Sequence, residues 1–405
     1  MTSTAPTILG RLMGDEPDPF PLYDELRETG GGVHPFDPLG WFVTRYDDVA
    51  AIGRDNTTYS SAHFWDSPAG IHDPSDPVQA SFMQISAQQF MFHDPPSHTR
   101  MRAAMMPAFT GVASKRWRPI VEARAGALLD RFSPGQQAEF MEDVAGAVPV
   151  AIIADVLGVP ESDQSEFRRW SMALAATFDP GIQGDARTEA IHAASEMVDY
   201  LRGVLDARRR EPRDDLTSVL VSARDQDGDL LPTDELLGSV ALLLTAGNDT
   251  TVNLLGNGLS FLFSESDARA AAADPSRIPA LVEEMLRMDP PLHLDMRKTT
   301  RDVVLGGQEI PAGSLLWLVI AAANRDPRAF PDAGRFDPAR SPNRHLTFLP
   351  GYHHCIGAPL ARLEGEIIFT RLLERFPGIA PGAGPAHRRV SNKVARGWQT
   401  LPVRF

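Results

Sequence analysis

The chain is poor in cysteine, in excess positive charge and in uninterrupted apolar sequence, and each shortage excludes something. Cys355 is the single cysteine among 405 residues, so no intrachain disulfide can form. Lys and Arg number 39 against 53 Asp and Glu, and the formal net charge of -14 repels nucleic acid and anionic membrane. The opening Met1-Thr2-Ser3-Thr4-Ala5-Pro6 has no basic stretch running into an apolar one. That reads as a cytoplasmic protein without secretion signal or membrane anchor. Leu236 to Phe263 is the longest apolar stretch, but Asn248, Asp249, Thr250, Thr251, Asn253 and Asn257 interrupt it. A buried helix of a soluble protein is the expectation, not a bilayer span.

What is present is a composition for a large core: 43% hydrophobic residues, with 34 prolines and 32 glycines as turn formers between many elements. No repeat, low-complexity tract or linker divides the chain, so one domain over residues 1–405 is expected. Trp41 to Tyr46 alternates like a strand. Residues 60–92 read as a long loop lined by Phe64, Trp65, Met83 and Phe90. The pattern from Thr99 to Arg210 is mostly helical, and Arg208-Arg209-Arg210 reads as a solvated helix end. Asp225 to Asp229 reads as a turn. Further helices are expected over Ile278–Met288 and Ala358–Arg375, with strands at Val303–Leu305 and Leu315–Ile320 and a strand-like tail to Phe405. The sum is a predominantly helical α+β protein with a long central helix and small β-sheets.

Local rules break in two places. Within the central helix, Ala246-Gly247-Asn248-Asp249-Thr250-Thr251 collects poor helix formers, which predicts a bend and a groove for a ligand, or simply a tolerated kink. Cys355 lies in the loop Phe348-Leu349-Pro350-Gly351-Tyr352-His353-His354-Cys355-Ile356-Gly357, just ahead of a helix start marked by Pro359. Free amides and the helix dipole favour a thiolate there. A lone cysteine is ordinarily a core residue. A zinc site from His353, His354 and Cys355 is the other alternative, although adjacent residues rarely converge on one metal. Glu284 and Arg287, three apart, face each other on a helix, which alone is an ordinary ion pair.

Taken in order, these features resemble a cytochrome P450 of the soluble bacterial type. Ala246-Gly247-Asn248-Asp249-Thr250-Thr251 is similar to that family's oxygen-groove motif, and Glu284-Met285-Leu286-Arg287 to its Glu-x-x-Arg motif. Arg335, in Gly334-Arg335-Phe336, matches the third member of the structural triad with Glu284 and Arg287. Phe348 to Gly357 resembles the heme-ligand loop. Asp94-Pro95-Pro96-Ser97-His98-Thr99-Arg100-Met101-Arg102 and Ala322-Ala323-Asn324-Arg325-Asp326-Pro327 resemble segments of the bacterial members. The likeness covers essentially the whole chain. One departure stands in the ligand loop, where Leu349 replaces the usual glycine.

The resemblance implies heme b (iron protoporphyrin IX) with Cys355 as axial thiolate and metal ligand. It implies a cofactor site of His98, Arg102, Ala246, Gly247, Arg297, Phe348, His353 and Gly357, in which His98, Arg102, Arg297 and His353 meet the propionates. Asp249 and Thr250 are the implied proton-relay residues, with Thr250 expected to keep its hydroxyl free for a ligand. The implied substrate walls include Phe64, Phe90, Phe178, Leu243, Leu244, Leu292, His293, Asp295 and Val394. The implied activity is O2-dependent monooxygenation of a mostly apolar terpenoid, polyketide or peptide-derived substrate. Electrons would come from a separate ferredoxin and ferredoxin reductase. The implied docking face for the ferredoxin is basic and holds Arg100, Lys115, Arg116, Arg118 and Arg362. The alternatives are oxidative coupling, desaturation or peroxide-driven oxidation, and a non-enzymatic heme sensor.

Overall fold

The computed structural model describes residues 17–37, 39–62, 75–177, 182, 184–225, 227–390 and 392–405, with backbone alone at 111–115 and 175. Phe64 and Phe178 lie outside the described residues, as does the side chain of Lys115. Contacts group the chain into two compact units, each assembled from separated stretches. One unit holds the chain up to Ser61, Gly256–His354 and Ala386–Gln399. The other holds Ala62–Leu255, Cys355–Pro385 and Thr400–Phe405.

The first unit carries a five-stranded sheet in the order Val33–Pro35, Trp41–Val43, Leu315–Val319, Leu294–Thr299, Tyr59–Ser60. Trp41–Val43 runs parallel to Leu315–Val319, whereas Leu294–Thr299 pairs with it antiparallel, Leu294 opposite Val319 and Lys298 opposite Leu315. The sheet is covered by apolar side chains. Val33, Val43, Val49, Ile52, Leu316, Leu318 and Leu349 form one buried cluster. Phe20, Tyr23, Leu26, Phe42, Leu294 and Val319 form another. The expected strand at Trp41 to Tyr46 stops at Val43, because Tyr46 already begins the helix Tyr46–Arg54 with Asp47 and Asp48 in its first turn.

The second unit is mainly helical, with Gly111–Leu129, Val148–Leu157, Gln164–Ala176 and Gly184–Arg210, and a three-stranded sheet of Gln137–Glu139, Pro402–Arg404 and Ala380–Pro381. Two expectations are corrected here. The segment read as a continuous loop contains the helix Pro77–Ser86, capped by Asp76, whose carboxylate accepts from the amides of Val78 and Gln79. Arg208 is not solvated. It is 6% exposed and donates to Asp215 Oδ2 at 2.5 Å and to the Gly158 carbonyl at 2.9 Å. The turn at Asp225 forms as expected, its carboxylate accepting from the amides of Asp227 and Asp229.

The central helix runs unbroken from Thr233 to Ser264. No break in helical pattern occurs at Gly247. Instead Thr245, Thr250 and Thr251 each donate to the carbonyl four residues back, so the hydroxyls are absorbed by the helix itself.

Candidate active site

The middle of the central helix is open where an apolar helix would ordinarily be covered. Leu242, Leu243 and Leu244 are buried, but Ala246 and Gly247 are exposed. A Cβ placed on Gly247 would meet nothing within 4 Å. An opening of this kind, in a long and largely apolar helix, fits a flat ligand lying against it.

Cys355 belongs to the same unit as this opening. It sits three residues before Ala358, the first residue of the helix Ala358–Arg375 after its cap, Gly357. Burial pushes the Cys355 thiol up, and several groups oppose it: hydrogen bonds from the amides of Gly357 and Ala358, and the charges of Arg102 and Arg362. Donors at a helix start and nearby guanidinium groups are what a sulfur ligand requires in order to remain anionic. Gly357 keeps backbone close to the sulfur, since a Cβ there would lie 3.9 Å from Sγ. Burial pulls Arg102 down and the neighbouring Cys355 pulls it up. His98 is buried on the same helix, Ser97–Met105, with its ring 6.2 Å from that of Phe90. This set of donors and the uncovered helix fit heme.

The other unit holds Arg297, Phe348 and His353. Arg297 is 5% exposed and donates to Asp295 Oδ1 at 3.2 Å and to the Met296 carbonyl at 2.6 Å. Phe348 and His353 are half-buried, and Phe348 meets the rings of His345 and His354. Leu349 adopts φ +45°, the left-handed conformation that glycine would occupy without strain. Its side chain is 7% exposed in the core cluster with Val49 and Ile52, and its carbonyl accepts from His354 Nδ1 at 2.6 Å. The loop thus keeps its left-handed turn, and burial of the leucine offsets the strain. At Gly351, φ is +89° and the Gly53 carbonyl is so near that no Cβ would fit.

Several expected roles change. Thr250 does not present a free hydroxyl, because it donates to the Ala246 carbonyl at 2.5 Å. Asp249 accepts from Asn253 Nδ2 at 3.3 Å. His293 is not open to a substrate. It is 2% exposed, with Nε2 at 3.0 Å from Asp289 Oδ1 and Nδ1 at 3.0 Å from the Tyr23 hydroxyl. Asp295 is occupied by Arg297. Leu292 and Val394 are half-buried, whereas Phe90, Leu243 and Leu244 are buried.

Glu284 and Arg287 are both fully buried and joined by two bonds of 2.8 and 2.7 Å. Arg335 does not complete them with its side chain, which is 64% exposed and paired with Asp267. Only the Arg335 carbonyl takes part, accepting from Arg287 at 3.0 Å. The second cation on Glu284 is Arg340, whose Nε lies 3.3 Å from Glu284 Oε1. Sequence position alone favoured Arg335, since nothing local says which arginine turns inward. The expected basic face is also largely neutralised: Arg100 is held by Glu235 at 2.6 Å, Arg116 by Asp214 and Arg118 by Glu122.

Glu364 was missed. It is 4% exposed on the helix Ala358–Arg375, and its Oε2 lies 3.0 Å from Thr251 Oγ1, one residue from Thr250. Burial pushes its carboxyl up to about 8. A glutamate among the apolar positions Leu363, Ile367 and Ile368 was the available signal.

Comparison with known proteins gives the class first. The solved structure of P450BioI in complex with an acyl carrier protein carrying hexadec-9Z-enoic acid superposes with a TM-score of 0.86 at 31% identity, covering 96% of this chain and 98% of that one. The Bacillus subtilis bacillaene polyketide synthase P450 PksS superposes with a TM-score of 0.85 at 32% identity, covering 97% and 98%. The fold is therefore the P450 fold. The sequence pattern of cytochrome P450 matches residues 69–273 and 278–388, and the chain belongs to that family. It is 36% identical to PikC, a cytochrome P450 monooxygenase of Streptomyces venezuelae, over 100% of this chain and 96% of the relative. It is also 36% identical to 6-deoxyerythronolide B hydroxylase of Saccharopolyspora erythraea, over 96% of each. The chain is a cytochrome P450 monooxygenase that holds heme through the thiolate of its one cysteine, Cys355.

Proposed function

We propose that this monooxygenase inserts one oxygen atom from O2 into a mostly apolar natural-product scaffold of the polyketide class, in the cytoplasm. The observation that carries the chemistry is the setting of Cys355 at a helix start, with the amides of Gly357 and Ala358 bonded to its sulfur and the charges of Arg102 and Arg362 acting on it. Relatives named for hydroxylation or epoxidation of 6-deoxyerythronolide B and mycinamicin IV support the substrate class. Among the described residues no helix is long and apolar enough to cross a membrane.

When bound, heme would supply the oxygen-activating chemistry, and the Cys355 thiolate would hold it and lend it electron density. The overall balance is RH + O2 + two electrons + two protons to ROH + H2O. Gly357 and Ala358 hold the sulfur by their amides. By the family resemblance, Arg102, His98, Arg297 and His353 would be the donors to the two propionates, whose burial requires charge-assisted partners. The opening at Ala246 and Gly247 leaves room for O2 beside the helix. Asp249 and Thr250 hold and pass protons, and Thr250 must exchange its bond to the Ala246 carbonyl for one to water or ligand. Thr251 and Glu364 offer a second proton store one residue further along. A separate ferredoxin and reductase supply the electrons.

The test begins with heme-loaded protein. The reduced carbon-monoxide complex should absorb at the thiolate position, and Cys355→Ser should lose that absorption. Macrolactones should shift the heme spectrum, and one that does should be hydroxylated when ferredoxin, reductase and NADPH are supplied. Product formed faster with peroxide than with the redox proteins would replace this reading with peroxide-driven oxidation. NADPH consumption that no ligand stimulates would favour a heme sensor.

A further inference from the structure

The unit that carries Arg297 also contains a buried ion cluster that the reaction does not use. At its centre is Asp289, 2% exposed, at the C-terminal end of the helix Ile278–Met288. Its carboxylate meets Arg388 at 3.1 Å, Arg396 at 3.2 Å and His293 Nε2 at 3.0 Å. The far side of the His293 ring is closed by the Tyr23 hydroxyl. Asn257 binds the cluster from the central helix, donating to the carbonyls of Asp289 and Arg396 and accepting from Arg388 at 2.6 Å. Burial pushes the Asp289 carboxyl up, but Arg388, His293 and Arg396 outweigh it and hold it well below the usual range. Burial pushes His293 down to about 4, so at neutral pH the ring is uncharged and works as an orienting link.

What this cluster joins is specific. His293 lies in the segment 291–293 and Arg396 in the segment 394–396. Those segments are bound to each other by backbone: His293 N–H to the Val394 carbonyl at 2.8 Å, Arg396 N–H to the Pro291 carbonyl at 2.9 Å, and a bridge between Leu292 and Ala395. They carry Leu292 and Val394, the two half-buried residues read above as substrate walls. Only a few backbone bonds hold so short a bridge, and a two-stranded contact of this length is marginal by itself. A carboxylate with two guanidinium groups and a histidine around it gives a far stiffer constraint.

We infer that Asp289 is a positioning residue that fixes the two walls Leu292 and Val394 relative to each other and thereby sets which bulky ligands the pocket accepts. This rests on the reading of Leu292 and Val394 as substrate walls. The side chain of Asp289 touches no substrate. It acts through His293 and Arg396, so that a change at one wall is transmitted to the other.

The experiment uses heme-loaded protein and two nitrogen ligands of the iron, followed by the heme spectrum. Imidazole is the small probe and 4-phenylimidazole the bulky one, which should meet Leu292 and Val394 if they line the ligand pocket. In the parent, Leu292→Ala and Val394→Ala should each change the Kd of 4-phenylimidazole severalfold, and the double variant should depart from the product of the two changes by threefold or more. In Asp289→Asn that departure should vanish, leaving independent effects, while the Kd of imidazole and the carbon-monoxide spectrum stay unchanged. His293→Gln is the milder second variant, should Asp289→Asn not fold, and it should weaken the coupling partially. Persistence of the full coupling in Asp289→Asn, or in His293→Gln if that alone folds, with merely a lower thermal midpoint, would reduce the cluster to a structural brace and overturn the inference. If the single Leu292→Ala and Val394→Ala variants left 4-phenylimidazole binding untouched, the wall assignment itself would fall, and the inference with it.

Discussion

Glu364→Gln should make the protein more stable at neutral and mildly alkaline pH, although it removes a buried carboxyl. The Thr251 hydroxyl has one proton, yet Oγ1 lies 2.9 Å from the Gly247 carbonyl and 3.0 Å from Glu364 Oε2. A carbonyl can only accept. Both bonds are therefore filled only if Glu364 is the donor in the second, that is, if it is protonated. Burial acts in the same direction, raising the carboxyl from 4.5 to about 8. A group whose folded pKa is raised adds its full stability below the unfolded value and loses it as pH climbs through the folded one. The window here runs from 4.5 to about 8. Each unit within it is worth about 1.4 kcal/mol, so at pH 7 the loss is about 3 kcal/mol, and at pH 8 about 4 kcal/mol. Glutamine mimics the neutral acid and avoids that loss. Urea unfolding of parent and variant, followed by circular dichroism between pH 5 and 8, should give a difference that is small at pH 5 and widens with pH in favour of the variant. Infrared difference spectra should show a protonated carboxyl at pH 6 in the parent that Glu364→Gln lacks. A stability difference that does not change with pH, or the absence of that carboxyl band, would refute the argument.

Glu284→Ala should destabilise the protein by about 3–5 kcal/mol, because it strips the fully buried Arg287 and the nearly buried Arg340 of their carboxylate. Arg335→Ala should cost at most about 1 kcal/mol, since its side-chain partner is the exposed Asp267; thermal melts of the two variants decide it. Leu349→Ala should be less stable than Leu349→Gly, and both less stable than the parent. Alanine keeps the strain at φ +45° and loses packing worth about 2 kcal/mol or more, whereas glycine loses the packing but relieves about 1 kcal/mol of strain. Thr250→Ala should leave heme content and the carbon-monoxide spectrum unchanged while diverting reducing equivalents from hydroxylated product to hydrogen peroxide. Equal coupling in variant and parent, measured as product and peroxide per NADPH, would shift the relay to water or to Thr251 and Glu364.

The sequence by itself determined the elements whose signals are local. The helices Ile278–Met288 and Ala358–Arg375 and the strand Val303–Leu305 occupy the residues expected of them. The apolar period and the first-turn prolines that mark these helices act between near neighbours in the chain. The ligand cysteine was legible through the family resemblance of its loop, since its local setting alone left a core thiol or a zinc site open. Tertiary structure alone decided the rest. Arg340 rather than Arg335 meets a carboxylate more than fifty residues earlier in the chain. Glu364 is raised because Thr251 and an apolar surround come from a distant helix. His293 is withdrawn from the pocket by Asp289 and Tyr23, and Leu349 tolerates a glycine conformation because a core from several segments receives its side chain. In each case the energy that fixes the side chain is desolvation balanced against partners far away in sequence. Local spacing carries no information about that balance.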